Sequence, residues 1–220
     1  MIAAEVTFAA AVHPATTSRA CPRALAPASG FSLIELLVTL SVLAIMIAAA
    51  VPGFRDVAAS FALDGAYNRL ARDLRLARGE AIVRQGQVSL CARADATSCG
   101  TDWTRGWHVF AETAGGTSGR IDVGERLLST HQADSGGSLT VRARAVVRPA
   151  GMAAASSISF DARGRADWTV GTLSICDARG ASEALALVVN GAGGFRRASE
   201  SAASGGVVVD AMGDPVSCPG

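Results

Sequence analysis

The chain has 220 residues, of which 20 are basic and 19 acidic, so its formal net charge is only +1. Such a balance gives no bulk electrostatic attraction to nucleic acid or to anionic lipid. Every basic residue is arginine, and without lysine neither a Walker A phosphate loop nor a lysine Schiff base can be built. The length is enough for one modest domain with its own core in addition to a membrane segment.

The first predicted element is an apolar run, residues 31–51, which follows Gly30 and contains one charged residue, Glu35. As a helix this run would be roughly 31 Å long, which matches the hydrocarbon thickness of a bilayer. A carboxylate inside a membrane segment is costly and usually has a partner. The run therefore predicts a single membrane-spanning helix in which Glu35 has a function.

The order Gly30, Phe31, Glu35 and Pro52 resembles the type IV prepilin family. The resemblance implies that residues 1–30 are a leader, which a prepilin peptidase removes by cutting between Gly30 and Phe31. It implies that Phe31 becomes the new N-terminus and is N-methylated. It also implies that Glu35 of one subunit pairs with the α-amino cation on Phe31 of its neighbour during filament assembly.

Two other interpretations of the apolar run remain open. A secretory signal peptide is cleaved after an apolar stretch, and the small residues at 48–50 would suit such a cleavage. An ordinary single-pass anchor would let Glu35 snorkel to the interface and interact with the positive end of the helix dipole. In the prepilin and plain-anchor interpretations the membrane span is kept. The basic residues Arg19 and Arg23 before the run then predict a cytoplasmic N-terminus and a periplasmic C-terminal domain in a bacterial inner membrane.

The next segment, residues 53–86, reads as an amphipathic helix. Apolar residues recur at three- and four-residue spacing between charged ones, which is the period of a helix with one buried face. Gly86 is a stop signal, and Pro52 with Gly53 would either kink one long helix or divide it in two. The predicted apolar stripe comprises Val57, Phe61, Ala66, Leu70, Leu74, Ala77 and Ala81.

Residues 87–220 show short strand-like segments separated by glycine-containing turns, which predicts an antiparallel β-domain. Together with the N-terminal helix, this defines an α+β protein. Residues 150–157 and 199–206 are rich in small residues and are predicted to be loops. Asp161 to Gly164 is predicted to be a turn. The predicted strands are 87–91, 107–110, 139–147, 157–160, 171–176 and 185–189.

After removal of the leader and its Cys21, the chain keeps an even set of cysteines: Cys91, Cys99, Cys176 and Cys218. Their wide spacing and the scattered histidines favour disulfides over a zinc site, and disulfides indicate an oxidising compartment. Four cysteines permit three pairings. We expect Cys91 to pair with Cys99 across a short hairpin loop and Cys176 to pair with Cys218, whereas a link from Cys91 to Cys176 is the competing arrangement.

The β-domain also resembles the GspH/FimT group of minor pilins and pseudopilins. The resemblance is carried by residues 103–110, 158–165, 172–177 and 188–197. It implies a structural or initiating subunit near the tip of a type IV pilus or a type II secretion pseudopilus. The implied partners are other pilins or pseudopilins and an inner-membrane assembly platform.

Two other function classes are weighed against this one. Some FimT-like minor pilins are implicated in DNA uptake through a G-R-x-R motif, and the matching place here reads Gly194-Phe195-Arg196-Arg197, in a predicted turn after the apolar strand 185–189. If Arg196 and Arg197 contact DNA, the contacts should be to phosphates. For an enzyme, the sequence offers no G-x-S-x-G elbow and no H-E-x-x-H motif. We therefore expect a non-enzymatic protein that needs no cofactor.

Overall fold

The computed structural model describes residues 30–133, 139–147, 151–201 and 204–218. The leader predicted for residues 1–30 lies outside this range except for Gly30. The chain divides into two compact units, of which the first ends at Ile47 and the second begins at Ala48. Each unit is considered separately below.

One α-helix, α1, is assigned from Leu33 to Arg84. It includes Pro52 and Gly53, so of the two alternatives open in the sequence the structure has one long helix and not two. The helix ends in a Schellman motif, because the Gly86 N–H donates to Ala81 O and the Gln85 N–H donates to Ile82 O. The left-handed residue of this motif is Gln85, with a φ of 51°, and not the glycine that the sequence marks as the stop signal.

Eleven strands follow in the described part of the chain, and all pairs among them are antiparallel. They form a four-stranded sheet in the order β3-β2-β1-β6, a five-stranded sheet in the order β5-β4-β7-β8-β9, and a small pair, β10-β11. The fold is thus the α+β arrangement that the sequence predicts. The strands are β1 Val88–Ala92, β2 Gly106–Ala111, β3 Arg126–Gln132, β4 Thr140–Val147, β5 Gly151–Ala154, β6 Ser157–Phe160, β7 Val170–Cys176, β8 Leu185–Asn190, β9 Phe195–Arg197, β10 Glu200–Ser201 and β11 Val207–Val208.

One face of α1 forms a common core with both large sheets. Leu70 and Leu74 are fully buried in the same cluster as Leu90 of β1 and Leu173 of β7. Since burial of each such side chain contributes about 1.5–3 kcal/mol, this cluster holds the helix on the sheets. All three tryptophans lie in the cluster: Trp103, Trp107 and Trp168.

The C-terminal segment covers the other face of the five-stranded sheet. Val208 and Val216 are buried against Cys176 and Ala186 in a second, smaller cluster. The central strands β7 and β8 are therefore buried on both faces. This explains the nearly continuous apolar sequence of β8, whereas β7 carries the buried polar residues Thr172 and Ser174.

Four predictions about local structure are wrong. Residues 150–157, predicted as a loop, contain β5, which pairs with β4, and residues 199–206 contain β10. Arg196 and Arg197, predicted in a turn, belong to the edge strand β9. Val57 and Phe61, predicted on the buried stripe of the helix, are 52% and 73% exposed. The buried face of α1 begins at Leu63.

Candidate functional site

The N-terminal end of α1 holds Phe31 and Glu35, the two residues predicted to act in assembly. Leu33 is the first helical residue, and the Leu36 N–H donates to Ser32 O. Glu35 is therefore the third residue of the helix, in the first turn, where the positive end of the helix dipole stabilises a carboxylate. A serine followed three residues later by glutamate also has the spacing of a capping box.

The apolar run after Phe31 is exposed along its length within the first unit. Phe31 is 87% exposed, and no part of the 18-residue stretch of α1 that is apolar enough to span a membrane is buried. The helix is the one element among the described residues that is long and apolar enough to cross a membrane. Two of the three hydroxyls in the run are satisfied within the helix, since Thr39 donates to Leu36 O and Ser41 donates to Leu37 O. Such a segment requires an apolar environment that the described residues do not supply.

Exposed apolar side chains continue into the second unit. Phe54, Val57 and Phe61 lie at spacings of three and four residues and are 74%, 52% and 73% exposed. Because this spacing places them on one helical face, they form a stripe separate from the buried face that starts at Leu63. The spacing of the apolar residues correctly predicts a helix, but it does not distinguish a stripe that packs on the β-domain from one that stays exposed.

Both disulfides have the pairing expected from the sequence. Cys91 is bonded to Cys99, and Cys176 is bonded to Cys218, each with a Cα–Cα distance of 5.7 Å. The first closes a hairpin loop in which Asp95 accepts hydrogen bonds from the backbone N–H groups of Thr97 and Ser98. The side-chain hydrogen bond from Ser98 and these backbone donors hold the pKa of Asp95 below its usual value. The second fastens the C-terminal segment to β7.

The structure separates the side chains of Arg196 and Arg197. The Arg197 guanidinium lies 5.5 Å from the ring centroid of Tyr67 on the helix, and the guanidinium of Arg75 lies 5.2 Å from the ring centroid of Phe195. Phe195 and Arg197 therefore face α1, while Arg196 faces the opposite side, since neighbouring side chains of a strand alternate. The adjacent basic pair does not form a single phosphate clamp.

Sequence reasoning missed several residues that position the helix on the β-domain. Asp73 is buried and accepts hydrogen bonds from Trp107 Nε1 at 2.7 Å and from Ser129 Oγ at 3.2 Å. Arg78 donates through Nε to Gly164 O at 3.1 Å and through a terminal nitrogen to Ala192 O at 3.3 Å. For Asp73, the sequence held a signal: a charged residue lies between Leu70 and Leu74, on the apolar face of the helix.

Arg179, in the β7–β8 connection, makes a further contact with α1. Its guanidinium bonds to Asp177 Oδ2 at 2.7 Å and to Ser60 Oγ at 3.0 Å. Burial raises the pKa of Asp177, but the hydrogen bonds and charge of Arg179 outweigh that effect, so the net pKa is below the usual value. Within the part of the chain that the structure describes, no group of three or more His, Cys, Asp or Glu side chains is placed to hold a metal ion.

Comparison with known proteins agrees with these features. Residues 66–193, more than half of the chain, match the family described as type II transport protein GspH, and residues 26–51 match the prokaryotic N-terminal methylation motif. No curated protein matches the chain. Two crystal forms of the type IV minor pilin FimU from Pseudomonas aeruginosa are similar, with 24% and 25% identity and a TM-score of 0.45 each. The alignments cover 61% of this chain and 91% and 86% of the FimU chains.

An N-terminal methylation motif on an apolar helix, followed in sequence by an antiparallel β-domain, defines a pilin-type filament subunit. The chain belongs to the GspH family. It is accordingly a minor pilin or pseudopilin, a structural subunit of a type IV pilus or a type II secretion pseudopilus. The one helix among the described residues that is apolar and long enough to span a membrane fits single-pass anchoring in the inner membrane.

Proposed function

We propose that the chain is a prepilin that is cut after Gly30, methylated on Phe31 and then built into a filament tip. The observation that carries this proposal is the apolar run, which is exposed throughout and contains Glu35 as its one charge. Before assembly the bilayer covers the run, and in a filament the helices of neighbouring subunits cover it. The N-terminus lies in the cytoplasm and the β-domain in the periplasm.

Glu35 has a specific partner in this scheme. Cleavage creates an α-amino cation on Phe31, and in a water-poor environment a carboxylate requires such a countercharge. Glu35 of one subunit pairs with that cation on the next, so the pairing ties assembly to prior processing. Prepilin peptidase, other pilins or pseudopilins and the inner-membrane assembly platform are the partners that this sequence of events requires. The protein has no catalytic role in it and needs no cofactor.

Intact-mass analysis of protein extracted from the membrane tests the processing step. The expected mass is that of residues 31–220, with two disulfides, plus one methyl group. Retention of Met1, or a new N-terminus at Val51 or beyond, would contradict the proposal, because the chain would then be a plain anchor or a secreted protein. A Gly30→Leu variant serves as the control and should keep its leader and lack the methyl group.

A further inference from the structure

The last described residues form a hairpin that lies on the five-stranded sheet and is fastened there by a disulfide. This C-terminal hairpin comprises residues 207–218. Within it the Val216 N–H donates to Val208 O at 3.0 Å. Cys218, at its end, is bonded to Cys176 of β7. The hairpin thus has backbone bonding of its own, and the disulfide links it to the sheet as a unit.

The non-covalent contacts between this hairpin and the sheet are small. The Ala211 N–H donates to Thr172 Oγ1 of β7 at 2.9 Å. Val208 and Val216 are buried in a cluster whose other members are all alanines and cysteines. Because the stabilisation from apolar burial grows with the area buried, such short side chains give a weak hold. The disulfide therefore supplies a large share of the restraint that keeps the hairpin on the sheet.

The two sulfurs of this disulfide differ in their access to solvent. Cys176 is 1% exposed, whereas Cys218 is half-buried. A thiolate breaks a disulfide by attacking one of its sulfurs directly, so the rate depends on which sulfur can be reached. The surroundings of Cys176 block that approach. Cys218 is therefore the sulfur that the thiolate of another molecule can attack.

The other disulfide also joins a buried residue, Cys91, to a half-buried one, Cys99, but its loop is held in other ways as well. The carbonyl oxygen of Asp95 in this loop lies 2.9 Å from Nε2 of the buried His108. The two cysteines are only 8 residues apart, so after cleavage their sulfurs would stay close and re-form the bond. The other pair is 42 residues apart, and its cleavage frees the hairpin to move away.

We propose that Cys218 is the site at which a partner protein with two thiols exchanges with this chain, which makes the C-terminal hairpin a redox-controlled clip. The partner's thiolate attacks the Cys218 sulfur, and the bond to Cys176 breaks. The electron pair of that bond stays on the Cys176 sulfur, which takes up the proton that the attacking thiol has lost.

The second thiol of the partner completes the exchange. It loses its proton and attacks the partner's own sulfur in the mixed disulfide, and the Cys218 sulfur leaves and takes up that proton. The partner is thereby oxidised to a disulfide, and both cysteines of the chain are reduced. The same steps in reverse, with a partner that carries a disulfide, close the clip.

Opening the clip would change one surface of the β-domain. Thr172, Ser174 and Ala186 are 3%, 7% and 1% exposed on the side of the sheet that the hairpin covers. They become accessible when the hairpin leaves. The clip is independent of the apolar run and of Glu35, so its failure would leave the filament assignment intact.

Reaction of the full chain in detergent micelles with reduced glutathione, without denaturant, tests the proposal. Samples are quenched in acid at intervals, labelled with iodoacetamide in denaturant and mapped as peptides by mass spectrometry. We expect glutathione on Cys218 and a free thiol on Cys176, formed at least about tenfold faster than any product at Cys91 or Cys99, because the short loop recloses. Glutathione on Cys176, equal rates at the two disulfides, or no exchange without denaturant would each overturn the proposal.

Thr172→Val tests the weak hold of the hairpin. The variant removes the hydroxyl that accepts the Ala211 N–H, so the reduced hairpin should leave more readily and the product on Cys218 should accumulate roughly 2–10-fold faster, as the loss of one neutral hydrogen bond predicts. The matched control is Thr169→Val, at an exposed threonine just before β7, which should react as the unmodified chain does. Equal rates for the two variants would contradict the clip.

Hydrogen exchange of the glutathione-treated chain is a second measurement. Residues 207–216 should lose protection, whereas residues 92–98 should keep theirs. Full protection of residues 207–216 after the exchange would show that the hairpin stays on the sheet without its disulfide, and it would refute the clip.

Discussion

At the scale of single residues, Asp73 is the polar contact that links the buried face of α1 to the four-stranded sheet. Its carboxylate accepts from Trp107 Nε1 and Ser129 Oγ inside a cluster that is otherwise apolar. A buried polar group costs little when it is satisfied and much when its partner is lost. Asp73 therefore fixes the position of the helix along the sheet as well as contributing to stability.

Asp73→Ala is expected to lower the free energy of unfolding by about 1–3 kcal/mol, because the Trp107 N–H would remain buried without an acceptor. Chemical denaturation of the full chain in micelles, followed by tryptophan fluorescence, measures the change. Asp64→Ala, at an exposed position of the same helix, is the control and should stay within about 0.5 kcal/mol of the unmodified chain. Equal stability of both variants would show that the Asp73 contact contributes nothing.

Alanine substitutions at Gly193 and Gly180 separate two contributions to a loss of stability, backbone strain and steric collision. Both have positive φ, at 76° and 89°, but a Cβ on Gly193 would collide with the carbonyl oxygen of Gly164, whereas a Cβ on Gly180 would meet open space. Gly180→Ala should cost about 1–2 kcal/mol for the left-handed backbone alone. Gly193→Ala should cost a further ~1–3 kcal/mol for the overpacking. Equal losses in thermal unfolding would refute the close approach of the two turns.

At the scale of elements, the β7–β8 connection fastens the β-domain to α1 near Ser60. Arg179 joins Asp177 in the connection to Ser60 in the helix, and Glu183 lies 3.7 Å from the same guanidinium. Among the described side-chain contacts between the β-domain and α1, the one from Arg179 to Ser60 lies nearest to the exposed stripe of Phe54, Val57 and Phe61. Its strength should depend on pH, since one partner is a carboxylate.

The direction of that dependence follows from the lowered pKa of Asp177. A carboxyl group with a lower pKa in the folded state than its ordinary 3.8 contributes stability above that pH and loses it as the pH falls further. Arg179→Gln removes the charge that lowers the pKa, so acid unfolding should begin at a higher pH than in the unmodified chain. Arg163→Gln, at an exposed turn position, is the control. Identical acid transitions for the unmodified chain and Arg179→Gln would contradict the account.

Some elements were predictable from the sequence and others were not, for identifiable reasons. β4 alternates and β8 is continuously apolar, so their burial is visible in their sequences. β1 also alternates in sequence, but all five of its residues are buried, Ser89 included. The edge strands β3 and β5 are different: Arg126–Gln132 does not alternate, and Gly151–Ala154 consists mainly of small residues. They become strands because β2 and β4 offer unpaired backbone groups, which is information held in the fold and not in the local sequence.

At the scale of the whole molecule, two covalent links close loops of very different length. Cys91 and Cys99 are 8 residues apart, and Cys176 and Cys218 are 42 apart. The chain-entropy model assigns about 2.5 kcal/mol to the short loop and about 4 kcal/mol to the long one. Only the long one retains a segment, the tail with Val208 and Val216, that covers a sheet.

Cys176→Ala/Cys218→Ala should therefore destabilise the protein more than Cys91→Ala/Cys99→Ala, with a difference of about 1.5 kcal/mol in chemical denaturation. It should also expose the outer face of the five-stranded sheet, which binding of a hydrophobic dye would report. Non-reducing peptide mapping of the unmodified protein checks the pairing itself. Recovery of free thiols, or a Cys91 to Cys176 link, would contradict it.

The candidate site was visible in the sequence because its chemistry is local. Gly30, Phe31 and Glu35 stand within six residues, and a charge in an apolar run is conspicuous whatever the fold. Arg196 and Arg197 are also neighbours in sequence, but their relation depends on the state of the backbone. In the predicted turn they would share one surface, whereas in β9 they point to opposite faces, because the pairing with β8 that makes them a strand is not visible in the local sequence.

The central claim is that Glu35 acts through its charge in filament assembly. Glu35→Gln is the sharpest variant, because glutamine preserves the spacing and acceptor of a capping box but cannot pair with the α-amino cation on Phe31. The control is Glu80→Gln, which removes an exposed carboxylate paired with Arg84 in the same helix. The measurement is the fraction of each protein recovered in sheared filaments from cells that lack the unmodified chain. We predict that Glu35→Gln stays in the membrane and is absent from filaments, while Glu80→Gln is incorporated normally; incorporation of Glu35→Gln at the unmodified level would contradict the account.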